Sequence, residues 1–135
     1  MTHVTAMIKA HSKDLAGVDH DKLAACIEAC FECAQVCTAC ADACLGEQMV
    51  EKLTTCIRTD LDCADVCAAT GNVLSRLANS NTAVLRSMLE TCQKVCQVCA
   101  EECDQHAQMH EHCRICAEAC RRCAQACAEL LASLV

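Results

Sequence analysis

Cysteine recurs along this chain at alternating steps of four and three, and that rhythm leaves it few folds to choose from. The longest run is Cys26, Cys30, Cys33, Cys37, Cys40 and Cys44. Others follow at Cys92, Cys96, Cys99 and Cys103, at Cys113, Cys116, Cys120, Cys123 and Cys127, and more sparsely at Cys56, Cys63 and Cys67. Residues three and four apart share one face of an α-helix, about 5–6 Å from each other, so each run is a thiol stripe along a helix. Helices normally carry leucine at such positions and build their core from it. Here the predicted core is sulfur.

A chain of 135 residues is long enough for one domain with one core. Eighteen cysteines in so short a chain would ordinarily point to a secreted disulfide scaffold, a class rich in loops and turns. This chain has no proline and three glycines, and Ala, Leu, Glu, Gln and Cys dominate it, so helix is favoured almost throughout. Met1 to Lys9 shows no basic stretch followed by an apolar run, and no segment approaches 18 uncharged apolar residues. The expectation is therefore no signal peptide, no membrane span and a cytoplasmic chain with reduced thiols. Reduced cysteines at this density serve metal or redox chemistry. A net charge of −7 argues against nucleic acid as a partner and mainly serves solubility.

The stripes predict four long helices in residues 19–135, preceded by a short amphipathic helix in residues 1–18 on Val4, Ile8, His11 and Leu15. This first helix would lie against the bundle or a neighbouring subunit, with His3 and His11 incidental. The first long helix starts at an Asp19 cap and ends at Gly46, which suits the left-handed residue just past a helix. The second follows a very short turn and carries Met49, Leu53, Cys56, Asp60, Cys63, Cys67, Thr70, Leu74 and Leu77 in phase through Gly71, to about Ala78. Asn79-Ser80-Asn81 forms the next turn, with Asn81 or Ser80 capping the third helix. The fourth begins between Gln105 and Glu111 and runs nearly to Val135. Short connections make successive helices antiparallel neighbours, giving an all-α, up-down-up-down four-helix bundle.

That topology distinguishes two ends. Leu23, Leu74, Leu77, Leu85, Leu89, Leu130 and Leu134 share one, which is plugged by hydrocarbon. At the other meet Cys44, Met49, Cys56, Cys103, His106, Met109, His110, His112 and Cys113, a mouth of soft or borderline metal ligands. His106, His110 and His112 suit ligation there, although an exposed turn is also an ordinary place for histidine, and Met49 and Met109 also suit gap filling. Asp60 occupies a core-facing slot, where it is a ligand, a hydrogen-bond partner or a side chain turned outward by a local shift. Glu28, Glu32, Glu101, Glu102 and Glu118 read as a solvated face.

Buried free cysteine behaves as a small hydrophobe, but facing ladders of so small a side chain leave a poorly filled core with cavity penalties. Disulfides within one helix would close tiny loops and restrain little. Thiolate-rich surroundings select Cu(I), zinc or iron–sulfur clusters. The C-x₂-C pairs sit mid-helix, a poor zinc-knuckle geometry, and the tight loops and proline of common iron–sulfur motifs are missing. Two-coordinate Cu(I), with metal–sulfur distances near about 2.3 Å, spans about 4.6 Å between sulfurs, which adjacent rungs of one helix supply. Two thiolates per Cu(I) would leave buried negative charge, so bridging thiolates in roughly one-to-one ratio with copper are expected, with proton release on filling. No nucleophile–base pair of an enzyme stands out. Three readings remain: Cu(I) storage, an iron–sulfur or redox protein, and a zinc-binding structural module.

The ladders C-x₃-C-x₂-C-x₃-C-x₂-C-x₃-C (Cys26 to Cys44), C-x₃-C-x₂-C-x₃-C (Cys92 to Cys103) and C-x₂-C-x₃-C-x₂-C-x₃-C (Cys113 to Cys127) resemble those of the bacterial copper storage proteins over about residues 20 to 135. With no signal sequence, the chain is similar to their cytosolic branch. The resemblance implies a bundle filled with many Cu(I) ions in thiolate clusters, assembled as a homotetramer and loaded through one end from a hydrated or chaperone-bound ion. Carried over position by position, all eighteen cysteines match core ligands, and His106, His110 and His112 match a histidine-bearing mouth. The sparse second ladder leaves open whether Asp60 replaces a ligand. The C-x₂-C pairs invite confusion with ferredoxins.

Overall fold

The computed structural model describes residues 2–13, 15 and 17–134. It contains five α-helices: α1 (His3–Ala10), α2 (His20–Leu45), α3 (Thr54–Leu74), α4 (Thr82–Asp104) and α5 (Glu111–Ser133). A single 3-10 turn at Val50–Lys52 precedes α3. There is no strand among the described residues. Helices α2 and α4 each pack against both α3 and α5, which closes four antiparallel neighbours into the expected ring. Helix α1 lies across α2, burying Ile8 against the same core as Leu15 and Val18.

Side-chain caps set two of the helix starts. Asp19 caps α2 by accepting the Lys22 N–H at 3.0 Å, and Asn81 caps α4 by accepting the Val84 N–H at 3.1 Å; each satisfies one of the unpaired donors of a first helical turn. Two expectations need correction. Gly46 sits at φ −86°, ψ −5°, in the right-handed region, so the turn after α2 makes no use of glycine's freedom. Left-handed backbone occurs instead at Gly17 and at Asn79, with φ of 69° and 60°. Helix α3 stops at Leu74, four residues before Ala78: the chain leaves the helix for the turn at Asn79, and the Ser75 hydroxyl donates to the Gly71 carbonyl at 2.7 Å. Such back-bonding competes with the next helical turn. Leu77 stays buried beyond the helix end. Val135 lies outside the described residues.

Gly71 is the glycine that packing requires. A Cβ there would stand 2.8 Å from the tip of the Phe31 ring, the one Phe, Tyr or Trp in the chain. Helix α2 has the length, and over one window the mean hydropathy of 1.4, of a helix able to cross a membrane. In the fold its apolar stripe is the thiol ladder itself, buried against α3 and α5.

The leucine end is closed as expected: Leu23, Leu74, Leu77, Leu85, Leu89 and Leu130 are all buried, and the half-buried Leu134 packs on them. Above them the interior is sulfur.

Candidate metal centre

All eighteen cysteines are free and buried. Their Sγ atoms form a continuous lattice that crosses between helices: Cys67 to Cys96 is 3.5 Å, Cys37 to Cys120 3.6 Å, Cys26 to Cys127 3.7 Å and Cys63 to Cys120 4.0 Å. These contacts are far longer than the roughly 2.05 Å of a disulfide. Sets of four converge within 4.8 Å of one another, among them Cys30, Cys92, Cys123 and Cys127 near the closed end and Cys40, Cys44, Cys56 and Cys113 at the mouth. Between them the sets overlap. Cys33 and Cys63 serve two quartets, and Cys37 and Cys120 serve one of these and a third with Cys99 and Cys116.

Asp60 points into this lattice from α3 and is fully buried, which removes the outward-turned alternative. Its Oδ1 accepts from the thiols of Cys99 and Cys116 at 3.2 Å and of Cys103 at 3.5 Å. Oδ2 is buried and has no partner. Burial, reinforced by the neighbouring Cys99 and Cys40 sulfurs, pushes the carboxyl up to about 9. In the metal-free protein it is therefore a neutral acid at physiological pH. Burial acts on the thiols in the same sense, pushing Cys44 up to about 12 and raising Cys113, because the charged form is the one that loses its water.

At the mouth the three histidines part company. His112, in the first turn of α5, reaches inward: Nδ1 lies 3.4 Å from Cys40 Sγ and 3.6 Å from Cys113 Sγ. Its Nε2 is 2.9 Å from Glu47 Oε2, and the same oxygen lies 2.9 Å from Nδ1 of His110. The two rings stack with centroids 5.4 Å apart. Burial pulls the His112 pKa down, but its bonds to Cys40 and Glu47 outweigh that and raise it overall. The contact with His112 holds Glu47 below the usual carboxylate range. His106, in the turn just past α4, instead pairs at 2.9 Å with Glu102 in the last turn of that helix. So the mouth brings Cys40, Cys44, Cys56 and Cys113 together with His112, places His110 behind it, and leaves His106 at the rim. Met49 and Met109 are 44% and 81% exposed and lie outside the sulfur lattice.

Two partners escaped the sequence reading. Glu102 had been assigned to the solvated face, although its spacing four before His106 allowed the pair. Glu47 offered only its place in the turn next to Gly46, since its histidine partners lie more than sixty residues away.

Residues 19–132 match the copper storage protein family. The chain belongs to that family. A copper storage protein from Streptomyces lividans, in a structure loaded with 10 copper equivalents, is 58% identical, with 97% of this chain and 99% of that one covered and a TM-score of 0.95. A second Streptomyces lividans structure, of a cytosolic copper storage protein with five coppers, is 61% identical over 85% of this chain and 96% of that one, with a TM-score of 0.84. A Cu(I)-bound copper storage protein from Bacillus subtilis is 36% identical over 79% of this chain and 95% of that one, with a TM-score of 0.71. No curated protein sequence matches the chain.

For a copper storage protein the sulfur spacings are informative. A metal about 2.3 Å from each thiolate puts its ligands about 4.0 Å apart in a trigonal site and about 3.8 Å apart in a tetrahedral one. The contacts of 3.5–4.0 Å between helices match both with little movement of the backbone. A thiolate that serves two overlapping quartets must bridge two metals when both are filled.

Proposed function

We propose that this chain stores Cu(I) in the cytoplasm as thiolate clusters, at roughly one ion per cysteine, and that copper enters and leaves through the histidine-bearing end. The overlap of the quartets carries the reading. Closed four-sulfur sites cannot all be filled when Cys33, Cys37, Cys63 and Cys120 are each shared, whereas bridging thiolates can be. One thiolate per Cu(I) also leaves the buried core uncharged, which avoids the large penalty for unpaired interior charge. The cytosolic Streptomyces lividans relative and the Cu(I)-bound relative from Bacillus subtilis support the compartment and the oxidation state.

In this reading the eighteen cysteines are the ligands. Asp60 is a further donor, because its carboxyl lies among the Cys99, Cys103 and Cys116 thiols and its Oδ2 has no partner. His112 is the first nitrogen donor met by an incoming ion, with His110 and His106 outside it and Met49 and Met109 as soft contacts at the rim. The family resemblance extends the reading to assembly as a homotetramer and to delivery by a copper chaperone. Sedimentation equilibrium giving four times the 14.5 kDa chain mass tests the first, and Cu(I) transfer from a loaded chaperone in the presence of a chelator tests the second.

Anaerobic titration of the reduced protein with Cu(I) against a chelator, with metal analysis, decides the central point. The expected result is saturation near one ion per cysteine. Saturation at about four or five ions per chain would mean isolated tetrahedral sites and would defeat the proposal. Replacing His106, His110 and His112 together with alanine is expected to change uptake rate and the first equivalents while total capacity stays.

A further inference from the structure

Every histidine at the mouth has a carboxylate beside one ring nitrogen, but the carboxylates come from different places. Glu102 reaches His106, in the turn just beyond α4, from the last turn of that helix. Glu47 reaches His110 and His112 from the connection between α2 and α3, across the opening, and receives both on one oxygen. The Glu47 carboxylate oxygen 2.9 Å from Nε2 of His112 takes an N–H from it. The neutral His112 ring therefore carries its proton on Nε2, which leaves a bare lone pair on Nδ1, the atom that faces the Cys40 and Cys113 sulfurs. His110 Nδ1 lies 2.9 Å from the same oxygen as a close polar contact.

We propose that Glu47 is the positioning residue of the copper mouth, fixing the tautomer and ring orientation of His112 so that an unprotonated Nδ1 meets an ion arriving at Cys40 and Cys113. Partners of this kind, hydrogen-bonded to the far nitrogen of a ligating imidazole, select the tautomer and hold the ring. With Glu47 removed, the His112 ring is free to turn about its own bonds and to present an N–H to the ion, which cannot ligate. The proposal rests on the loading route given above, and concerns how that route is kept open.

The test uses the full-length reduced protein. Long-range proton–nitrogen spectra of the metal-free form, at a pH above the histidine titration, should show His112 as the Nε2–H tautomer. Glu47→Ala should lose that assignment and slow uptake of the first Cu(I) equivalent by about tenfold or more, the usual cost of removing an outer partner, with total capacity unchanged. Glu47→Gln keeps a carbonyl oxygen that accepts the His112 N–H, and should retain the tautomer and most of the rate. An unchanged tautomer in Glu47→Ala would overturn the proposal. So would Glu47→Gln slowing uptake as much as Glu47→Ala, since Glu47 would then act as a charge that attracts the cation. His112→Ala separates this from the loading route itself: wild-type uptake in that variant defeats the route, while slow uptake there with normal uptake in Glu47→Ala defeats only the role of Glu47.

Discussion

The two ends of the bundle are made by the same four helices, yet one is closed by hydrocarbon and the other by carboxylate–imidazole contacts. At the closed end each helix continues its stripe with leucine, and α1 lays Ile8 and its neighbours over the result. At the mouth the stripes run out into turns, and the closing contacts are His112 and His110 on Glu47 and His106 on Glu102, all partly exposed. Leucine contacts hold whatever the ion content of the core, because they are non-directional and proportional to buried area. Carboxylate–imidazole contacts are few, directional and weak in water. On the proposed loading route, stability belongs to one end and exchange to the other.

The most direct way to break it is to weaken the closed end. Leu130→Ala removes a fully buried side chain and is expected to destabilise the metal-free fold by about 2–5 kcal/mol, the usual cost of a core Leu→Ala cavity, in anaerobic chemical denaturation. Copper capacity should stay the same. A lowered capacity would show that the leucine floor shapes the clusters as well as supporting them.

Between the two ends stands Asp60, and its effect should appear in pH dependence. Its folded pKa of about 9 lies above the ordinary 3.8. In that interval the native state holds a proton that the unfolded chain has released, so stability falls as pH rises, at up to about 1.4 kcal/mol per pH unit. The contribution is complete below about 4 and lost through about 9. Asp60→Asn keeps the shape without the titration, and its metal-free stability should fall less steeply than wild type between pH 5 and pH 8, within about that slope. Parallel curves would mean that Asp60 is already ionised in the folded protein.

Near the closed end, Gly71→Ala tests the contact between α2 and α3. The added Cβ meets the Phe31 ring at 2.8 Å, but that ring is 40% exposed and free to move outward. A loss of about 1 kcal/mol is expected, at the low end of overpacking, and Phe31→Leu in the same chain should recover most of it.

The sequence made one of these ends far more legible than the other. Periodic burial leaves a periodic trace, so the ladders, the leucine floor and the Asp19 and Asn81 caps could all be read from spacing. The slot of Asp60 was equally plain, but its orientation depends on three thiols from α4 and α5. The end of α3 lies short of the apolar stripe, because Leu77 stays buried after the helix has ended at Leu74. At the mouth, Glu47 meets residues of a helix that begins at Glu111, and nothing periodic connects them. Side chains that close a mouth across loops leave no rhythm to read.

The smallest expected effect separates the ends most sharply. Cys26 sits at the closed end against Cys127, at 3.7 Å, and Cys44 belongs to the mouth quartet with Cys40, Cys56 and Cys113. Replacing either with alanine removes one thiolate, so each variant should lose only about one ion of capacity if charge balance sets the filling. Their kinetics should differ. Copper arriving through the mouth meets the Cys44 position first, so Cys44→Ala should alter the first equivalents and leave the last ones alone, while Cys26→Ala should load normally until the core is nearly full. Rapid-mixing titrations of the two variants read this directly, because thiolate-to-copper absorption grows with each ion bound. Identical early phases would show that filling does not run from the mouth inward, and would leave the histidines and Glu47 without a gradient to govern.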